Sequence, residues 1–262
     1  MKKIFKAVIW LHFLRLFRYK WSLINQALGT FLWVIIYIIG TSLFMIKEEE
    51  KILIQLFWII TAWQYIRISA RLIGNWINFF TAIGMIEEHL LRNISPFTIL
   101  SGRVITSTSV TVITTALTGL IIKTAFDVNI LNIYNPFLLI LGFFTLIIQC
   151  IYYGKILSIL SLGTSISYSF WGYLNFSSLA LFVIPPEKLM FPLNILIVSL
   201  PFTSSVYLLK NGINGINSFT LLTMSLLFSF INGILLKIIE NILAKKVLKN
   251  ILKNGYRGIG YM

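Results

Sequence analysis

Residues 86–99 read Ile86-Glu87-Glu88-His89-Leu90-Leu91-Arg92-Asn93-Ile94-Ser95-Pro96-Phe97-Thr98-Ile99. This short, mixed-charge, proline-containing segment is wedged between two long apolar blocks. Unpaired charge is costly in hydrocarbon, so the interruption must face water or another protein. The apolar blocks on either side are then read as the part of the chain that does not.

Composition sets the environment of those blocks. The chain of 262 residues is 58% hydrophobic and only 11% charged, with a mean hydropathy of +0.88. A soluble domain averages about 45–50% apolar and 25% charged residues, and one of this length could not hide so much apolar surface. An all-α integral membrane protein is expected, as one transmembrane domain over residues 1–262. The formal charge of +14 does not point to nucleic acid, because the basic residues cluster at the two ends instead of along one face of a soluble fold. Topology control and contact with anionic membrane lipids account for that placement. The single cysteine, Cys150, lies in an apolar run and reads as a small core residue. No cleavable leader is expected, since the first basic block leads into a mixed segment without a small-residue cleavage site.

Residues 1–20 carry Lys2, Lys3, Lys6, Arg15, Arg18 and Lys20 and no acid. Their charges spread around most of a helical wheel, so the segment is expected to lie in the interface as an apolar patch with cationic ends. Spans are expected at 21–46, 52–73, 104–126, 137–153, 164–184 and 218–239, each long enough or nearly so to cross a core of roughly 30 Å. Arg67 and Arg71 lie one helical turn apart near the far end of the second span. They read as snorkelling to the boundary or as substrate or voltage groups. Residues 154–163 are expected to form a short turn. The run Leu193–Leu200, between Pro192 and Pro201, is too short to cross and is expected to be re-entrant or interfacial on the outer side. A basic tail over 241–262 closes the chain.

Six spans put both termini on one side. The terminal segments hold twelve basic residues, counting Lys237. The opposite loops hold Lys47, Lys51, Lys188 and Lys210, offset by Glu48, Glu49, Glu50, Asp127 and Glu187. The excess of lysine and arginine makes the termini cytoplasmic, and the 86–99 segment with them.

The eight acids all fall in loops or at span ends, which leaves a proton- or sodium-coupled carrier without its usual mid-depth carboxylate. No phosphate-binding loop is present, since the one Gly-Lys pair, Gly154-Lys155, is followed by Ile156. The two histidines, His12 and His89, have no metal-spaced companions, and no catalytic or cofactor-binding residue is expected. His89 beside two acids reads as a solvated residue. In the third span Ser107, Thr111, Thr114, Thr115 and Thr118 fall on or near one face. They read as interhelical packing bonds or as the lining of a translocation path.

At this point the pattern resembles the membrane subunits of ABC exporters of the second type. The resemblance rests on Gly84, Glu87, Glu88, Leu90, Leu91, Arg92, Ser95 and Pro96, followed by Gly102-Arg103 at the start of the third span. About twenty residues match closely. The six-span order, the cationic interfacial start and the proline-rich segment before the last span extend the likeness loosely over the chain. Ser95-Pro96 departs from the family's commoner Pro-x-Ser order. The resemblance implies that Glu87, Glu88, Leu90, Leu91, Arg92, Ser95 and Pro96 belong to a cytoplasmic coupling helix that docks on a separate ABC ATPase subunit, and Pro96 is expected to end that helix. It also implies pairing with a second permease copy or paralogue, with ATP and Mg held by the partner ATPase. The expected location is the cytoplasmic membrane of a prokaryote. An ATP-independent channel or carrier, a lipid-directed membrane enzyme, and a non-transporting scaffold or immunity subunit are the alternatives.

Overall fold

The computed structural model describes residues 2–42, 50–92, 94–163 and 177–254. Among these every regular element is helical. Four helical stretches are long and apolar enough to cross a membrane: Glu50–Ala82, Pro96–Phe126, Pro136–Leu162 and Phe219–Lys253. A bent pair of shorter helices raises the number to five if it counts as one. The chain has the build of a multi-pass membrane protein.

Helix α1 spans Lys2–Arg18 and α2 spans Lys20–Ser42. The expected first span (21–46) runs into residues outside the described set, as do the charged turn after it and much of the expected fifth span. On α1, Val8 and His12 are buried while Trp10, Phe13 and Phe17 point outward as an aromatic row. That row suits an interface, with apolar rings on one side and packed protein on the other.

Helix α3 (Glu50–Ser69) is apolar all round and forms the centre of the core, with Phe57, Trp63, Tyr65 and Ile66 almost fully buried. It continues through a π-helical turn, Ala70–Gly74, into α4 (Trp76–Ala82). The π turn is the place where another helix packs most closely. Helix α8 (Pro136–Gly163) crosses it so closely that a Cβ on Gly154 would stand 2.7 Å from Ile73 Cβ. Ser158 of α8 then donates to the carbonyl of Ile73, within the widened turn, at 2.7 Å. The expected turn at 154–163 is therefore not there. Gly154 serves a close helix crossing, and α8 runs straight on with Ser158 and Ile159 buried. The other end of α8 follows the sequence: Asn135 Oδ1 accepts from the N–H groups of Phe137 and Leu138, and Pro136 takes the first helical position.

Helices α5 (Met85–Leu91), α6 (Pro96–Ser101) and α7 (Val104–Phe126) follow. Residues 177–183 form α9, Leu193–Ser199 form α10, Thr203–Asn214 form α11 and Phe219–Asn254 form α12. Helix α12 extends well past the expected end of the sixth span at 239. Its later part lays Leu243, Val247, Leu248 and Ile251 on the cluster built by Ile73, Ile77, Phe80, Ile86, Phe97 and Leu100. The lysines of the basic segment (Lys245, Lys246, Lys249 and Lys253) are thus carried on a packed helix.

Helices α10 and α11 meet at 102° across Leu200-Pro201-Phe202. The sequence reading saw the short run 193–200 but not α11, whose residues from Thr203 to Ile213 are all buried. Lys210, expected in a solvated loop, is buried and donates to the Ile184 carbonyl at 3.2 Å. Glu240 also departs from expectation. It is buried inside α12 and pairs with Lys155 of α8 at 3.0 Å.

Candidate functional site

The segment from Met85 to Ser101 folds as two short helices in place of the single one expected. Helix α5 starts after Gly84, whose φ of 69° is a left-handed conformation open to glycine, and ends by Arg92. Pro96, expected to end the helix, instead opens α6 at its first position, with Ser95 extended before it. Proline has no N–H to give and a φ already set for a first turn, so it begins a helix more readily than it closes one.

Ile86 and His89 hold α5 to the body, and Leu90 is half-buried against the same cluster. His89 is not solvated. Its ring packs on Phe80 at a centroid distance of 5.4 Å, and burial lowers its pKa, opposed by Glu88. What α5 turns outward is Glu87, Glu88, Leu91 and Arg92, with Glu88 and Arg92 joined at 2.6 Å. Leu91 is 85% exposed, flanked by those charges and close in sequence to half-exposed Ile83. Of the residues expected to act together, Glu87, Glu88, Leu91 and Arg92 share an open face. Leu90, Ser95 and Pro96 lie against the protein, Pro96 fully buried and the other two in part.

The platform beneath is braced. Gly102, between α6 and α7, lies so close to α1 that an added Cβ would collide with the His12 and Val8 side chains. His12 Nε2 lies 3.0 Å from the Ile99 carbonyl, which can only accept, so that nitrogen carries the proton. Burial pushes the His12 imidazole down to about 4, and the nearby Arg103 and Arg15 charges act in the same direction.

The serine and threonine row of α7 is inside the bundle. Ser107, Thr111, Thr114 and Thr118 are buried and Thr115 is half-buried. Thr114 donates to the Ala27 carbonyl of α2 at 3.3 Å, and Thr118 and Ser107 donate back to Thr114 and Arg103. On the side of Gln64 of α3 the space left along this row is about 10 Å³, room for about one water molecule. On the other side Thr111 and Thr115 also line an open cavity of about 700 Å³, together with Tyr65, Thr108 and Phe143.

The sequence reading missed a polar node between α8, α10, α11 and α12. Gln149 Oε1 accepts from the Phe202 N–H at 2.7 Å, while its Nε2 donates to Ser205 Oγ at 3.1 Å and the Ser229 carbonyl at 2.9 Å. Asn232 donates to the Ser199 carbonyl at 3.0 Å and to Ser204 Oγ at 3.3 Å. Two amides and their hydroxyl neighbours thus saturate the backbone where α10 turns into α11. Each is a lone polar residue in an apolar run, visible in sequence only by its isolation.

Among the described residues no group of three or more His, Cys, Asp or Glu side chains is placed to hold a metal ion. No family model, curated protein or solved structure matches this chain.

Proposed function

We propose that this chain is the membrane-spanning permease subunit of an ATP-driven ABC exporter, energised by a separate ATPase subunit that docks on α5. The observation that carries the reading is the open face of Glu87, Glu88, Leu91 and Arg92 on a helix whose other side is anchored by Ile86 and His89. An exposed leucine rimmed by charges suits a groove on a partner, with apolar area at the centre and charges left at the edge. The anchor supplies the mechanical link. Helix α5 shares one apolar cluster with α4, α6, α8 and α12, so a pull on it reaches several long helices at once. ATP binding then biases the bundle between two states, provided that the ATPase grips them differently.

The same reading assigns six spans, of which parts of the first and fifth lie outside the described residues. Both termini are placed in the cytoplasm, and α10–α11 becomes a re-entrant hairpin on the outer side. Two findings favour the hairpin. Asn214 at the end of α11 bonds Gln55 near the start of α3, and the α10–α11 turn sits at Gln149, about 20 Å along α8 from its first residue. A second permease copy or paralogue completes the transporter. ATP and Mg belong to the ATPase.

The test is co-expression with a cognate ABC ATPase subunit. A stable complex with ATP-dependent transport in proteoliposomes is expected, and Glu87→Ala/Glu88→Ala/Leu91→Asp is expected to abolish both while the permease still folds. Transport by the chain alone, without any ATPase, would overturn the assignment in favour of a channel or carrier.

A further inference from the structure

A cavity of about 580 Å³ opens between α1, α2, the π turn, α4 and the start of α7. Three guanidinium groups line it, from Arg15, Arg71 and Arg103, and none of its lining residues is acidic. Arg103 is 5% exposed, its guanidinium carbon stands 3.3 Å above the centre of the Trp76 ring, and its Nε has no hydrogen-bond partner. Like charges gathered in a recess repel one another, and an anion in the recess reverses the sign of that energy. Guanidinium forks match the oxygens of a phosphate group in particular. The remaining wall is mixed: Leu16, Leu23, Leu72 and half-exposed Phe79 supply an apolar part, and Ser22, Asn25, Gln26 and Thr106 a polar part. A free phosphate has no use for the apolar part, whereas a lipid can set its glycerol oxygens on the polar side chains and its first methylenes on the leucines. The cavity also lies under α1, whose outward aromatic row suits the headgroup level.

We propose that the Arg15–Arg71–Arg103 cavity is a binding site for the phosphate of an anionic phospholipid headgroup. This does not rest on the permease reading; it needs only a chain embedded in a bilayer. The bound lipid sets an anion among the three guanidinium groups and stitches α1 to the π turn and the base of α7.

The full-length protein in detergent is incubated with equal amounts of phosphatidylglycerol and phosphatidylcholine, and retained lipid is read by native mass spectrometry. Selective retention of phosphatidylglycerol is expected. Arg15→Gln and Arg71→Gln should each weaken it by about tenfold, the loss of one charge-assisted hydrogen bond. Arg92→Gln, which removes an exposed positive charge on α5, should leave it unchanged. A photoreactive phosphatidylglycerol on the unaltered protein should crosslink to peptides from α1, α2 or α4, so the site is tested even where a variant does not fold. Equal retention of the two lipids, an equal loss in Arg92→Gln, or crosslinks confined to other helices would overturn the proposal. Arginine-dependent binding of inorganic phosphate with no lipid preference would overturn the lipid source.

Discussion

Gln149 of α8 accepts the backbone N–H of Phe202 at 2.7 Å, at the point where the chain reverses between α10 and α11. Phe202 has a φ of 67°, unusual for a bulky residue, and its N–H lies outside any helix that could pair it. A non-helical turn packed among helices is tolerated only when protein supplies the missing partners. Gln149→Leu keeps the shape but leaves that N–H unpaired, while Ser205 keeps only its bond to Thr145. It is expected to destabilise by about 1–3 kcal/mol, read as a lower unfolding temperature in detergent. An unchanged temperature would mean that the turn finds other partners.

The Gly154 crossing offers a second measurement. With Ile73 Cβ 2.7 Å from the position of an added Cβ, Gly154→Ala forces α8 and the π turn apart. A cost of about 1–3 kcal/mol is expected from such overpacking. Ser158→Ala probes the same contact by chemistry, removing the donor to the Ile73 carbonyl without adding bulk, and is expected to cost less.

Lys155 and Glu240 form a largely buried pair between α8 and α12. Removing one partner strands the other charge, so Lys155→Met alone is expected to cost roughly 3–5 kcal/mol. Lys155→Met with Glu240→Leu should recover most of that loss. A double variant no more stable than the single one would show that the two residues act independently.

His12 predicts a pH dependence. Its folded pKa of about 4 lies below the ordinary 6.5, so the folded state binds the proton less well than the unfolded one. The stability that docks α1 is complete above pH 6.5 and is lost as the pH falls from there through 4. A proton on Nδ1 would also be a buried donor without an acceptor. Hydrogen exchange in α1 should therefore rise on acidification, and His12→Asn, which cannot titrate, should flatten that rise.

The Glu88–Arg92 pair is more than half exposed on both sides. Such a pair is worth about 0–1 kcal/mol to folding. Glu88→Ala and Arg92→Ala should leave the unfolding temperature nearly unchanged, so any effect they have on assembly with an ATPase can be read separately from folding.

The apolar blocks made the helical membrane build plain before any coordinates, because unbroken runs with charges only at their ends leave few other structures. The polar interruption at 86–99 was equally visible, and its outward Glu87, Glu88, Leu91 and Arg92 lie where mixed charge belongs. Glycine and proline misled, because each has two uses. Gly154 was read as a turn when it serves a crossing, and Pro96 as a stop when it serves a start. The amides Gln149 and Asn232 escaped notice because hydrogen bonding across helices leaves no period in the sequence. The long α12 was obscured by its lysines, which ride on a helix whose other side is buried.

The α12 extension also bears on the order in which the molecule is made. Leu243, Val247 and Leu248 complete a cluster begun by Ile73, Ile77 and Phe80, residues synthesised more than 150 positions earlier. Chains emerge N-terminal end first, so α4, α5 and α6 wait with an open apolar face until α12 arrives. The α5 helix thus takes up its full packing only after α8 and then α12 have been made.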